Sequence, residues 1–178
     1  DAKRCPVLCL SEGLGRRALY VLPGANNLLT VNDLDLTYIN QADMLHLSSF
    51  ADDRQFKLLL ELMGRLDSSV KVSFSPGTLY TTKGLKALAA ILDRTYILFV
   101  NQRDIQQLTG QDIIPGAESC LKQGCRIVAV TLGKGIRLDL AKGARRKAIT
   151  AACYIREPEN EYFIEPVSQD VRSEADTT

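Results

Sequence analysis

The sequence has little of several residue types that mark common protein classes. It has one histidine and five cysteines without paired C-x-x-C spacing, so it offers too few suitable ligands for a zinc site of cysteine and histidine. Its 22 lysines and arginines balance 21 aspartates and glutamates, which gives no support for bulk attraction to nucleic acid or to anionic membranes. No apolar run approaches the ~20 residues that a membrane-spanning helix needs, so we expect no membrane partner.

Several widespread catalytic motifs are also missing. The sequence contains no glycine-rich P-loop, no G-x-G-x-x-G, no G-x-S-x-G and no H-E-x-x-H. These absences argue against the commonest NTPase, dehydrogenase, hydrolase and metalloprotease classes. The chain opens at Asp1 without a signal peptide. The odd cysteine count without paired spacing favours a reduced, cytoplasmic protein.

Two apolar runs near the N-terminus predict a β-hairpin. Val7–Leu10 and Ala18–Leu22 flank a glycine-containing turn at 12–15. Neither run alternates between apolar and polar residues, so we expect both faces to be buried, within the domain or against a partner subunit. We assign residues 1–26 to this hairpin and its return, and 27–178 to an α/β domain.

The rest of the chain alternates strand-like and helix-like segments. Strands are expected at 44–47, 70–74, 96–100 and 126–131. Helices are expected from 52, across 85–92, at 101–108 and at about 116–123. This alternation predicts an open, mostly parallel α/β sheet with helices on both faces. After Thr131, short strands at 136–140, 148–153 and 162–167 are expected to form a meander at one edge of the sheet.

Three strand ends carry polar residues at the sheet edge where α/β proteins bind ligands, although the third, the loop Phe74–Thr78, says little by itself. Asn101 ends a buried strand and Asp104 follows three residues later, which fits either a capping box or a pair of oxygens that hold water on Mg²⁺ near phosphates. Thr131, Gly133 and Gly135 end the next strand. They fit either a close approach to a nucleotide or a glycine turn into another strand.

Two other features favour ordinary structural roles. His46 lies in an apolar strand and is expected to be a packed, hydrogen-bonded residue rather than a catalyst. Residues 134–147 carry six lysines and arginines against one aspartate. This segment is typical of a solvated surface, although a salt-dependent affinity measurement would test it for nucleic-acid binding.

In this order, the segments resemble the ribokinase-like (PfkB) family of sugar and nucleoside kinases. The resemblance rests on Pro23–Asn26 after the hairpin and on the segments 42–47, 72–77, 97–104, 108–110 and 130–135. The final residues, Ser173–Thr178, resemble the start of the D-T-T-G-A-G-D signature. The resemblance implies a ribokinase-like fold, with the hairpin as a lid that covers the substrate and sometimes pairs between subunits.

The resemblance also implies ATP-dependent phosphorylation of a sugar or nucleoside hydroxyl, with Mg²⁺. Asn101 and Asp104 match the N-x-x-E motif, which orders Mg²⁺ through water, although aspartate replaces glutamate. Thr131 and Gly133 match the T-x-G segment that lies along the nucleotide. Asp176 and Thr178 would border a monovalent-cation site, such as one for K⁺.

The signature's G-A-G-D would follow Thr178 and supply the general-base aspartate, so no catalytic base is assigned within this chain. We therefore expect an internal piece of a longer kinase, inactive by itself. The alternative is a non-catalytic family member that keeps the fold for binding or assembly. Neither the substrate nor the oligomeric state follows from the sequence, although a homodimer through the lid is consistent with its apolar hairpin.

Overall fold

The computed structural model describes residues 6–12, 17–50, 52–142 and 145–166. Strands β1 (Val7–Ser11) and β2 (Arg17–Val21) pair antiparallel, as the hairpin prediction requires. Large apolar side chains of this hairpin are exposed; Leu8 and Tyr20 are exposed by 58% and 59%. The expectation that the domain itself buries them is therefore wrong, and burial against a partner stays a prediction.

The chain returns from the hairpin through two 3-10 turns, Gly24–Leu28 and Val31–Asp33, and the short helix α1 (Leu36–Ile39). The second turn is closed by its own side chains. The Asp33 carboxylate accepts hydrogen bonds from the Thr30 amide and hydroxyl, at 2.8 and 2.7 Å. These local bonds satisfy polar groups that a tight turn leaves without helical partners.

A six-stranded sheet forms the main domain. Its strands, in spatial and chain order, are β3 (Met44–Ser48), β4 (Lys71–Ser75), β5 (Thr95–Asn101), β6 (Ile127–Lys142), β7 (Arg145–Arg156) and β8 (Glu161–Ile164). The first four strands are parallel, and β7 and β8 add antiparallel pairs at one edge. The predicted open, mostly parallel sheet with a separate hairpin is confirmed.

Helices connect the parallel strands. They are α2 (Asp53–Arg65), α3 (Gly77–Thr81), α4 (Gly84–Arg94), α5 (Gln102–Thr109) and α6 (Ile113–Lys122). α2 begins where the Asp52 carboxylate accepts hydrogen bonds from the amides of Arg54 and Gln55. Within the described ranges, no helix is long and apolar enough to span a membrane.

The main core lies between these helices and one face of the sheet. Because β3 to β6 are neighbours in chain order and crossovers between parallel strands are right-handed as a rule, we expect α2, α4, α5 and α6 to share that face, where neighbouring helices contact each other. Val72, Phe74, Leu98 and Val128 are fully buried there. For the described residues, the expectation of helical cover is therefore met on this face.

The opposite sheet face is more open. Met44 and Phe99 are exposed by 43% and 39%. On this face, Nδ1 of His46 lies 2.8 Å from Oγ of Ser73 on the neighbouring strand. The expected hydrogen bond of His46 is thus present, but the residue is exposed rather than packed.

Several element boundaries differ from the prediction. β6 continues to Lys142 instead of ending at Thr131, because the segment beyond Ile136 pairs with β7 after a register irregularity. α6 begins at Ile113 rather than near Gly116. Pro115 lies in its first turn, where the missing amide proton has no helical partner to lose. The expected third edge strand is shorter, at Glu161–Ile164, and residue 167 lies outside the described ranges.

Candidate functional site

The last pair of the parallel β5–β6 ladder brings together residues that are 30 positions apart in the chain. Asn101 and Thr131 are direct partners in the parallel β5–β6 ladder. The Thr131 hydroxyl lies 3.5 Å from the carbonyl oxygen of Val100. Both positions therefore face the carboxyl edge of β5, where open α/β sheets bind ligands.

A groove of about 400 Å³ opens at this edge. It is lined by Asn101, Gln102, Arg103, Gln106, Thr131, Leu132 and Gly133. Three of the four nucleotide-site residues expected from the sequence, Asn101, Thr131 and Gly133, thus border one crevice. The side chains of Gln102, Arg103 and Gln106 also face it, and the sequence interpretation had assigned them no role.

The beginning of α5 makes this groove suitable for an anion. Oδ1 of Asn101 accepts a hydrogen bond from the Asp104 amide at 2.8 Å, which caps the helix. Amides in a first helical turn have no intrahelical acceptor, and the helix dipole adds positive potential there. Arg103 is the one charged residue among those that line the groove in the described part of the chain. The local charge therefore favours phosphate.

Asp104 lies behind this groove rather than in its lining. The residue is 5% exposed, and its Oδ1 accepts a hydrogen bond from the Thr78 hydroxyl at 3.1 Å. Thr78 lies in the first turn of α3, just after β4. Sequence reasoning noticed its loop but assigned Thr78 no role; its position after a buried strand was the available signal.

Both structural alternatives for the two motifs can now be compared with the geometry. The capping interpretation of Asn101 is confirmed for its own side chain, whereas the Asp104 carboxylate bonds to Thr78. The glycine-turn interpretation is also supported, because Gly133 and Gly135 have positive φ angles and lie within the register break between Thr131 and Ile136. Gly133 has φ +60°, and no atom lies within 4 Å of the position that a Cβ would take. A ligand can therefore approach this backbone closely.

A second, larger groove of about 650 Å³ adjoins the first through Gln102 and Gln106, which line both. Its apolar walls include Ile113, Ile136 and Leu138. Its charged lining residues are four carboxylates, from Asp112, Glu118, Asp139 and Glu161, and one guanidinium, from Arg137. The two grooves together form an extended surface that is cationic at one end and apolar with an acidic rim at the other.

The donor set fits Mg²⁺ only as a partner of phosphate. Among the described residues, no group of three or more histidine, cysteine, aspartate or glutamate side chains could hold a metal. One carboxylate completed by substrate phosphates and water is a common arrangement for Mg²⁺, and Asp104 supplies such a carboxylate. The positions expected for a monovalent cation, Asp176 and Thr178, lie outside the described residues.

The basic segment at 134–147 is described in part. Lys134 and Arg137 are exposed on β6. The side chains of Lys142, Arg145, Arg146 and Lys147 lie outside the described set. Nucleic-acid binding by this segment stays an untested alternative.

Comparison with known proteins gives a consistent result. The family model described as pfkB family carbohydrate kinase matches residues 3–135. A protein of Archaeoglobus fulgidus described as an uncharacterized sugar kinase is 30% identical over 164 residues, which cover 92% of this chain and 58% of that protein. The chain thus spans little more than half of this relative's length.

Two solved structures show the same fold. Ribokinase from Thermotoga maritima has a TM-score of 0.60 at 22% identity, covering 83% of this chain and 49% of that one. Fructokinase with bound ATP from Xylella fastidiosa has a TM-score of 0.66 at 15% identity, covering 92% and 49%. The family match covers most of the chain, from the hairpin to the glycines of β6 that border the groove. This chain therefore belongs to the pfkB family of carbohydrate kinases.

Proposed function

We propose that this chain forms the nucleotide-binding part of a kinase that transfers the γ-phosphoryl group of ATP to a hydroxyl of a sugar or nucleoside. The observation that carries the proposal is the Asn101–Thr131 strand pair beside a groove whose one charged lining residue is Arg103. Phosphoryl transfer depends mainly on positioning and electrostatic stabilisation, and such a groove supplies both for a phosphate chain.

The phosphates would lie against the first turn of α5 and the backbone at Gly133. The free amides of Gln102 and Arg103 would donate to phosphate oxygens, and the Arg103 guanidinium would add positive charge. Asp104 would orient water on Mg²⁺. When bound, Mg²⁺ neutralises charge that develops on the phosphates.

The ribose and base would extend into the larger groove. Gln102 and Gln106 connect the two grooves, and the apolar walls at Ile136 and Leu138 suit a flat ring. The acidic rim would accept hydrogen bonds from exocyclic amines. The fold likeness to a fructokinase solved with bound ATP supports ATP as the nucleotide.

The proton acceptor would follow this chain. The expected Gly-Ala-Gly-Asp after Thr178 would supply an aspartate that takes the proton from the attacking hydroxyl. The helix beginning there would stabilise charge on the transferred group. We also assign a K⁺ site to Asp176 and Thr178 on the same resemblance.

The hairpin would act as a lid over the small substrate. Its exposed Leu8, Leu19 and Tyr20 support either closure over a ligand or pairing with a second copy in a homodimer. The described cysteines Cys9, Cys120, Cys125 and Cys153 are free thiols, which supports a cytoplasmic location.

The test is ATP consumption by the complete gene product with a panel of sugars and nucleosides. We expect turnover with at least one substrate, and none from residues 1–178 alone. Asp104→Ala should lower turnover about tenfold or more, because Mg²⁺ and the phosphates lose a positioning group. Asp93→Ala, an exposed aspartate at the end of α4, is the matched control. No turnover across the panel would refute the proposal.

A binding or assembly role without catalysis is the second candidate. It is favoured by aspartate at position 104 and by the engagement of its carboxylate with Thr78. Reading the residues after Thr178 in the complete protein separates the two candidates. Gly-Ala-Gly-Asp supports the kinase, and loss of that aspartate supports the binding protein.

A further inference from the structure

Two hydroxyl groups of α3 form hydrogen bonds to side chains of α5. The Thr78 hydroxyl donates to Oδ1 of Asp104 at 3.1 Å. One helical turn later, the Thr81 hydroxyl lies 3.2 Å from Oε1 of Gln107. Both pairs join the same two helices, but only Thr78 contacts the carboxylate behind the phosphate groove.

The two oxygens of the Asp104 carboxylate have different surroundings. Oδ1 is engaged by Thr78. In the described part of the chain, no protein group forms a hydrogen bond with Oδ2. Oδ2 is also not fully buried. Oδ2 is therefore the oxygen that remains open to a water molecule.

We propose that Thr78 is a positioning residue that holds the Asp104 carboxylate so that Oδ2 faces the water shell of Mg²⁺. The proposal rests on the proposed kinase function. The terminal torsion of a carboxylate is broad, so a short aspartate needs an external partner to fix its oxygens. A hydroxyl donor to a carboxylate forms a charge-assisted hydrogen bond, which is stronger than a neutral one.

The geometry also connects two loops at the carboxyl edge of the sheet. Thr78 follows β4, whereas Asp104 follows β5, the next strand. A shift of the β4 loop would therefore rotate the carboxylate beside the phosphate groove. A hydrogen bond that only held α3 against α5 would stabilise the fold but would not alter how Mg²⁺ affects nucleotide binding.

Thr81 provides the matched control for this distinction. Thr81 is fully buried, and its hydroxyl also lies 3.1 and 3.2 Å from the carbonyl oxygens of Gly77 and Thr78, so its loss weakens the same helix pair. Thr78→Val and Thr81→Val each remove one hydroxyl at nearly constant volume. Both should lower the melting temperature, since each removes a hydrogen bond between α3 and α5.

The experiment measures ADP binding to the complete protein by calorimetry, once with Mg²⁺ and once with EDTA. In the unaltered protein, Mg²⁺ should strengthen ADP binding. Thr78→Val should reduce this enhancement about tenfold while leaving metal-free ADP affinity unchanged, as expected for one lost charge-assisted hydrogen bond. Thr81→Val should keep the full enhancement, and Thr78→Ser should restore it.

A double variant gives a result that a loss of stability alone would not produce. In an Asp104→Ala background, Thr78→Val should cause no further loss of the Mg²⁺ enhancement, because the two residues act as a unit. Additive losses would overturn the inference, as would equal behaviour of Thr78→Val and Thr81→Val. If Mg²⁺ does not strengthen ADP binding to the unaltered protein, both the inference and the proposed function fall. A normal enhancement with an unaffected Thr78→Val removes the inference alone.

Discussion

Nε2 of Gln55 donates a hydrogen bond to the carbonyl oxygen of Asn26 at 2.6 Å, which ties α2 to the segment that returns from the hairpin. The same amide nitrogen lies 3.3 Å from the carbonyl oxygen of Leu29. Gln55 is 1% exposed. One buried side chain thus donates to the Leu29 carbonyl and shares the Asn26 carbonyl with the backbone amide of Leu29.

Replacing Gln55 by leucine should destabilise the protein. The carbonyl oxygens of Asn26 and Leu29 would lose the Gln55 donor, which costs about 0.5–1.5 kcal/mol, although leucine also removes the buried Oε1 of Gln55 that has no partner among the described residues. Urea unfolding of Gln55→Leu should show a lower midpoint with an unchanged slope. Lys57→Met, an exposed change on the same helix, is the control and should be neutral. A midpoint equal to that of the unaltered protein would show that water replaces the lost donor.

Gly133→Ala should lower the affinity for nucleotide by more than its backbone strain alone would explain. The residue has φ +60° and open space around a Cβ, so alanine costs about 1–2 kcal/mol of backbone strain. Its methyl group would project where the phosphate chain is expected. Gly110→Ala at the end of α5 has φ +69° and the same open surroundings, which makes it a matched strain control. Calorimetric titration with ADP should separate the two variants, and equal affinities would argue against a ligand at Gly133.

Ile136→Glu tests whether the base of the nucleotide, rather than its phosphates, occupies the larger groove. Ile136 lines the larger groove but not the smaller one. A carboxylate there would remove an apolar wall and should lower ADP affinity about tenfold. Tripolyphosphate, which has no base, should bind this variant and the unaltered protein with similar affinity. If both ligands lose affinity equally, the base does not occupy this groove.

Alkaline pH should destabilise the fold through buried thiol and phenol groups. Burial raises the pKa of Cys120 from 9.0 to about 12, and it also raises the pKa values of Cys125 and Tyr154. A raised pKa means that the folded state holds its proton more tightly than the unfolded state. The contribution of these protonated groups to the free energy of unfolding is therefore fully present below about pH 9. It is lost as the pH rises toward 12.

Urea unfolding at several pH values above 9 measures this loss. Cys120→Ala should flatten the decline, because one titrating group is gone, even though its stability near pH 7 is lower from the cavity. An identical pH slope in the two proteins would contradict the assignment to Cys120.

Much of the fold could be predicted because its signals are local. The apolar runs of the hairpin and of β3 to β6 stand beside glycine, proline and aspartate at their ends. Asp52 and Asn101 mark helix starts through their own carboxylate and amide groups. A side chain that caps the next turn needs no distant partner, so the sequence shows it directly.

The candidate site was predictable only in part. Asn101 and Thr131 form the last pair of the parallel β5–β6 ladder, so the order of these neighbouring strands brings them together. Thr78 reaches Asp104 across 26 residues, and that contact depends on how α3 packs against α5. No periodicity in either segment encodes it.

The amino-acid sequence by itself determined the alternation of strands and helices, the hairpin and the residues at the strand ends, because each follows from neighbours within one or two turns. The tertiary structure decided that β6 runs on to pair with β7, that the hairpin's apolar residues are exposed, and that Thr78 engages Asp104. These features depend on contacts between distant segments, whose geometry is set by packing across the whole domain rather than by local preference.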